Sequence, residues 1–110
     1  MQILRSDEFA REVSRLARKH RLIFDDIEAF LETLENGERP GYQMKGVGGR
    51  PVRWARLRNR SAKSGARGGF RVIYYFDEAL ILLLSIDTRA SIDYVAPERI
   101  LRRLRDAGLG

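Results

Sequence analysis

Gly68-Gly69-Phe70-Arg71-Val72-Ile73-Tyr74-Tyr75-Phe76-Asp77-Glu78-Ala79-Leu80-Ile81-Leu82-Leu83-Leu84-Ser85-Ile86 is the stretch that decides the fold class of this chain. Phe70 to Phe76 is rich in aromatic and β-branched residues and alternates, with Phe70, Val72, Tyr74 and Phe76 on one face and Arg71 on the other. Asp77-Glu78 reads as a tight turn. Leu80 to Ile86 is a nearly continuous apolar run, the pattern of a central strand buried on both faces. Upstream, Val52 to Asn59 also alternates, with Ala55 and Leu57 on one side and Trp54, Arg56 and Arg58 on the other. Arg60 to Gly69, made largely of Gly, Ser and Arg, reads as a wide hairpin loop. Three antiparallel strands result.

Around this sheet the periodicity changes from two to 3.6. Ile3-Leu4 begins a short strand that adds at an edge. Ser6 is placed to cap a helix whose first turn holds Asp7 and Glu8. Phe9, Val13, Leu16 and Ala17 then share one helical face. After the turn His20-Arg21-Leu22, Ile23, Ile27, Phe30, Leu31 and Leu34 form a second apolar stripe. Asp25 and Glu28 have the spacing of a capping box, and Asn36-Gly37 ends the helix. Arg39 to Arg50 reads as a loop. Pro97 suits the first position of a last helix, with Ile100, Leu101 and Leu104 as its apolar face and Ala107 to Gly110 as a fraying end. The reading is one α+β domain over residues 1–110, in the order β-α-α-β-β-β-α, with the helical hairpin on one face of the sheet. The acids of the hairpin (Asp7, Glu8, Glu12, Asp25, Asp26, Glu28, Glu32, Glu35) read as a solvated face.

Charge is the second feature. Arg39 to Phe76 holds ten basic residues and no acid, whereas residues 1–38 sum to −3 and residues 77–110 to −1. The formal +6 is therefore one +10 block built into the sheet rather than a diffuse surface charge or a tail. Such a block attracts phosphate, and nucleic acid is its expected partner. Eighteen of the 21 basic residues are arginine, which grips phosphate bidentately and stacks on bases.

Composition excludes several chemistries. With no cysteine there is no disulfide, thiolate metal site or thiol nucleophile, and a single histidine cannot complete a zinc site. A carboxylate-held Mg²⁺ needs clustered acids, which the basic block lacks. No cofactor or metal is expected. The first residues contain no signal-like apolar stretch, and the run Ala79 to Leu84 is far too short to span a membrane. A soluble cytoplasmic protein is the expectation.

The segments Pro40-Gly41, Gly46-Val47-Gly48-Gly49, Pro51-Val52-Arg53-Trp54-Ala55-Arg56 and Gly68-Gly69-Phe70-Arg71-Val72-Ile73-Tyr74-Tyr75 resemble the RelE/ParE superfamily of bacterial toxins. Members close to the RelE and HigB groups read roughly "PG…G.GG.PVYK.R" followed by "KSGGYRVIYY". The resemblance covers nearly the whole chain. It implies a toxin of a type II toxin–antitoxin pair, bound and neutralised by a cognate antitoxin. The RelE-like branch cleaves mRNA in the ribosomal A site, by attack of a ribose 2′-OH on the adjacent phosphate, which implies contacts with mRNA and 16S rRNA. The ParE-like branch instead inhibits DNA gyrase by binding. A degenerate toxin that keeps only antitoxin binding is the third alternative.

By this resemblance Arg56 falls on the second basic position of "YK.R" and Arg71 on the arginine of "GGYR". Arg89 and Tyr94 resemble the arginine and tyrosine of the RelE C-terminal region. These four are the candidate catalytic residues. The pattern departs at Trp54, which replaces the first basic position, at Ala66 in place of the lysine of "KSGG", and at Asp87, where many HigB-type members have tyrosine.

The residues themselves leave alternatives open. Trp54, Arg56 and Arg58 form either a phosphate clamp beside a base-stacking platform or a solvated strand face with an exposed Trp. Lys45, Arg53, Lys63 and Arg67 are further candidate RNA-binding residues. Arg71 shares the side of Arg56 if Phe70, Val72, Tyr74 and Phe76 face the helices; its other reading is an ion pair with Asp87. Tyr94 reads as a proton-transfer or stacking group, or as packing under the last helix. His20, between two helices, is not expected to act in catalysis. With arginine protonated near neutrality, any catalysis rests on positioning and charge stabilisation.

Overall fold

A computed structural model describes residues 1–60, 69–88 and 95–109. The elements are β1 (Gln2–Arg5), α1 (Asp7–Ala17), α2 (Ile23–Glu35), β2 (Tyr42–Gln43), β3 (Val52–Leu57), β4 (Phe70–Phe76), β5 (Leu80–Thr88) and α3 (Pro97–Asp106). The sheet order is β1-β5-β4-β3-β2, with β1 parallel to β5 and the other pairs antiparallel. The expected α+β architecture is present: an N-terminal helical hairpin, a central sheet and a C-terminal helix. β2 is an addition, a two-residue strand inside the stretch expected to be loop.

Strand alternation divides the core. Ala55, Leu57, Phe70, Val72, Tyr74, Ile81, Leu83 and Ile86 pack with Phe9, Val13, Leu16, Ile27 and Leu34 of the hairpin. Val52, Ile73, Leu82 and Leu84 point the other way and pack with Val47, Ile100 and Leu104. The parity of β5 changes once, at a bulge: Ile73 pairs with Ser85 but Tyr74 with Leu83. The extra residue lets both Leu84 and Ile86 be buried on their respective sides.

Local signals explain most element ends. Ser6 Oγ accepts from the Phe9 amide at 3.1 Å, as a helix cap does. Asp77 Oδ1 accepts from the Ala79 and Leu80 amides, closing the β4–β5 turn. The Leu80 amide, the Tyr75 hydroxyl and the Ala79 amide together hold the Asp77 carboxyl below its usual range. After α2, Gly37 (φ 90°) donates to Leu34 O and Glu38 to Thr33 O, a Schellman closure. α3 closes in the same way, with Gly108 bonded to Arg105 O and Leu109 to Leu104 O. Leu109 packs on the α3-side core, so Ala107 to Leu109 form a defined cap rather than a fray.

Three readings need correction. α2 begins at Ile23 with no side-chain cap, so Asp25 and Glu28 lie inside the helix and form no capping box. Asp26 is buried rather than solvated: its Oδ2 accepts from the Arg60 amide and its Oδ1 lies 3.4 Å from Arg60 Nε. Glu12 is largely covered too. β1 ends opposite Leu83, so among the described residues the outer edge of β5 beyond it has no strand neighbour. There Glu12 Oε1 accepts from the Ile86 amide, Arg103 Nη1 donates to Leu84 O, and Arg103 Nη2 meets Glu12 Oε2 at 3.2 Å. The pair joins α1 to α3 around the sheet edge.

Glu12→Ala leaves the Ile86 amide without that acceptor and Arg103, 10% exposed, without its anion. The expected loss is about 2–3 kcal/mol in urea denaturation. A loss under about 0.5 kcal/mol would mean that water replaces the link.

Burial pushes the Tyr74 phenol up to about 12, and its hydroxyl donates to Pro40 O at 2.6 Å. The folded state thus holds this proton more tightly than the unfolded chain. The stabilisation is complete below the unfolded value of about 10 and is lost as pH rises from there to about 12. Tyr74→Phe should cost about 1 kcal/mol near neutrality. Its stability should also fall less steeply than that of the parent above about pH 10, measured by denaturant midpoint against pH.

Among the described residues, no helix is long and apolar enough to cross a membrane.

Candidate nucleic-acid interface

The face of β3 and β4 turned away from the helical hairpin carries the site. Phe70, Val72 and Tyr74 are in the hairpin core, which puts Arg71 on the opposite face. Even-numbered positions of β3 point the same way, so Trp54 and Arg56 join it. In the ladder Arg56 is the direct cross-strand partner of Arg71. Like charges in this position repel, and folding alone does not favour the arrangement. The Trp54 ring relieves part of the repulsion: the guanidinium carbon of Arg71 lies 4.5 Å from the ring centroid and that of Arg56 5.5 Å. Two cations are thus held side by side over one aromatic ring.

Beside them β2 forms one wall of a cleft of about 340 Å³, lined by Tyr42, Gln43, Met44, Lys45, Trp54, Arg71, Ile73 and Val95. Met44, Ile73 and Val95 are apolar, Lys45 and Arg71 are cationic, and no acid lines it among the described residues. Tyr42 pairs with Trp54 in the ladder, and the two rings are 4.9 Å apart and tilted by 35°. Gly41 makes this possible. Its φ is +96°, and a Cβ there would overlap the carbonyl oxygen of Trp54. Arg53 Nη1 donates to Gly41 O at 2.9 Å and ties the same turn down.

The structure brings together Arg56, Arg71, Trp54 and Lys45. It separates Arg53, which lies on the hairpin side of β3 with its guanidinium over the Phe76 ring at 5.8 Å. Arg58 is exposed but sits one residue past the end of β3. Lys63, Arg67, Arg89 and Tyr94 lie outside the described residues. Asp87 stands opposite Arg71 in the ladder, and its carboxylate meets Arg15 of α1 at 3.5 Å. His20 Nδ1 lies 2.9 Å from Asn59 Nδ2, and the His20 ring meets Phe70 edge-on, so the imidazole serves the hairpin side and not the cleft.

The sequence reading missed Tyr42, Gln43, Met44 and Val95. A two-residue strand leaves no alternation to detect. The available signal was Pro40-Gly41 ahead of an aromatic residue, a turn able to seat that ring against a strand.

Chemically, the face can bind a phosphate between Arg56 and Arg71 and stabilise charge that develops on it. Among the described residues the cleft lining supplies no imidazole and no carboxylate. Among the described residues, no group of three or more His, Cys, Asp or Glu gathers to hold a metal. No protein-family model and no curated protein matches this chain, which leaves the geometry of the Arg56–Arg71 face as the ground for a functional reading.

Proposed function

We propose that this chain is a RelE/HigB-like toxin of a type II toxin–antitoxin pair that cleaves mRNA on the ribosome. The observation that carries the reading is the cross-strand Arg56–Arg71 pair, held over Trp54 beside a cleft that Lys45 also lines. The strand-by-strand sequence resemblance and the overall α+β layout support it.

In the proposed reaction a ribose 2′-oxygen attacks the adjacent phosphorus and the 5′-oxygen of the next nucleotide leaves. The products are a 2′,3′-cyclic phosphate and a 5′-hydroxyl end. The 2′-OH proton passes to water, and the leaving oxygen takes one up. Arg56 and Arg71 neutralise the charge that grows on the non-bridging oxygens, each such donor being worth about 10²–10³ in rate. Arg89 and Tyr94 belong to the set by resemblance. A site resting on charge alone is slow on mobile RNA, so the ribosome's ordering of the A-site codon supplies the positioning. The cognate antitoxin covers the basic face with an acidic or apolar segment.

The test is an mRNA incubated with the purified protein, with and without ribosomes. Cleavage confined to ribosome-bound message, with 5′-hydroxyl ends, is the expected result. Intact message on ribosomes together with inhibited gyrase supercoiling would overturn this reading in favour of a ParE-like activity.

A further inference from the structure

We propose that the cleft takes one unstacked nucleobase, that Tyr42 is the residue it stacks on, and that Trp54 positions Tyr42 and Arg71. The inference rests on the nucleic-acid reading of this face and assigns its base-binding residue.

The Trp54 ring is already crowded. The Tyr42 ring lies 4.9 Å away and two guanidiniums lie 4.5 and 5.5 Å away, and the residue is half-buried. A further ring has little of its surface left to cover. Tyr42 is 59% exposed and lines the cleft. Its position is fixed from several sides. Gly41 needs a left-handed backbone to fit against β3, Arg53 holds Gly41 O, the Tyr74 hydroxyl holds Pro40 O at 2.6 Å, and β2 pairs with β3. An exposed aromatic ring held this rigidly loses little entropy when a ligand ring stacks on it.

The cleft's chemistry names the ligand class. Met44, Ile73 and Val95 offer an apolar floor for a flat ring, while Lys45 and Arg71 stand where an attached anion would lie. A nucleotide, a flat base joined through a sugar to a phosphate, has both parts. Lys45, Arg56 and Arg71 on this face favour a strand of them over a single acidic side chain.

The test uses fluorescence anisotropy with the full chain and two end-labelled pentadeoxynucleotides, which lack the 2′-OH and so resist cleavage. One carries adenine at the central position and the other an abasic sugar there, at equal charge. Stacking predicts that the base-bearing strand binds about 5- to 150-fold more tightly. Tyr42→Ala should remove this preference, while Tyr42→Phe keeps it. Trp54→Ala should also lose the preference, and Trp54→Phe should restore most of it. Emission of Trp54, the sole tryptophan, should change with the base-bearing strand and less with the abasic one.

Equal binding of both strands by the parent chain overturns the stacking proposal and leaves the phosphate reading standing. A preference that survives Tyr42→Ala overturns the role of Tyr42, and one that survives Trp54→Ala overturns that of Trp54. No binding of either strand overturns the base site and the nucleic-acid reading together.

Discussion

Arg71→Ala should lower the proposed ribosome-dependent mRNA cleavage by about 10²–10³-fold while the protein stays folded. The rate effect follows from the geometry. Arg71 lies over Trp54 at 4.5 Å and faces Arg56 across the ladder, so it is aimed before substrate arrives. The stability effect should be small, because losing the Trp54 contact and relieving the like-charge contact with Arg56 act in opposite directions. A change within about 0.5 kcal/mol is expected in denaturant unfolding. Binding of the proposed antitoxin should persist, since the proposed contact spans more of the basic face than one side chain. Arg71→Lys should recover only part of the activity, because an ammonium lacks the planar fork that grips two phosphate oxygens. Full toxicity in Arg71→Ala would remove this residue from the chemistry.

Gly41→Ala should produce the largest loss of stability of any substitution considered. Two costs combine. The backbone at φ +96° disfavours any side chain, and the new methyl carbon would overlap Trp54 O and stand 2.8 and 2.9 Å from Trp54 C and Ala55 Cα. All three atoms are backbone of β3, which is paired on both sides and has little freedom to move. We expect a loss of about 2–4 kcal/mol, or roughly 10–20 °C in Tm. Gly37→Ala isolates the contact term. Its φ is +90°, but nothing lies within 4 Å of the added carbon. It should cost about 1 kcal/mol, from backbone strain alone. Equal melting points for the two variants would show that the approach of Gly41 to β3 is not what holds β2. Because β2 carries Tyr42, Gly41→Ala should also weaken ligand binding at the cleft.

Several features were legible in the sequence because each rests on a strong local rule. Alternation in Phe70 to Phe76 placed Arg71 opposite Phe70, Val72 and Tyr74, and the same rule in β3 put Trp54 and Arg56 on its side. Ser6, Asn36-Gly37, Asp77 and Pro97 marked ends that the structure shows. Other features depend on tertiary geometry. β2 is two residues long and exists because Gly41 fits against β3. The β5 bulge follows from packing on both sheet faces, since Leu82, Leu84 and Ile86 are all apolar and either parity satisfies the pattern. Glu12 and Asp26 look like surface acids until the open edge of β5 and the Arg60 amide require them. The placement of Arg53 needed only the alternation that placed Arg56. Its position within a charged run obscured the fact that it falls on the face of Ala55 and Leu57.

The most direct test of the account maps mRNA 5′ ends in cells after induction of this chain without an antitoxin. The account predicts new 5′ ends inside translated reading frames, lost when Arg56→Ala and Arg71→Ala are combined. Growth arrest with intact messages, or cuts that persist in the double variant, would contradict it.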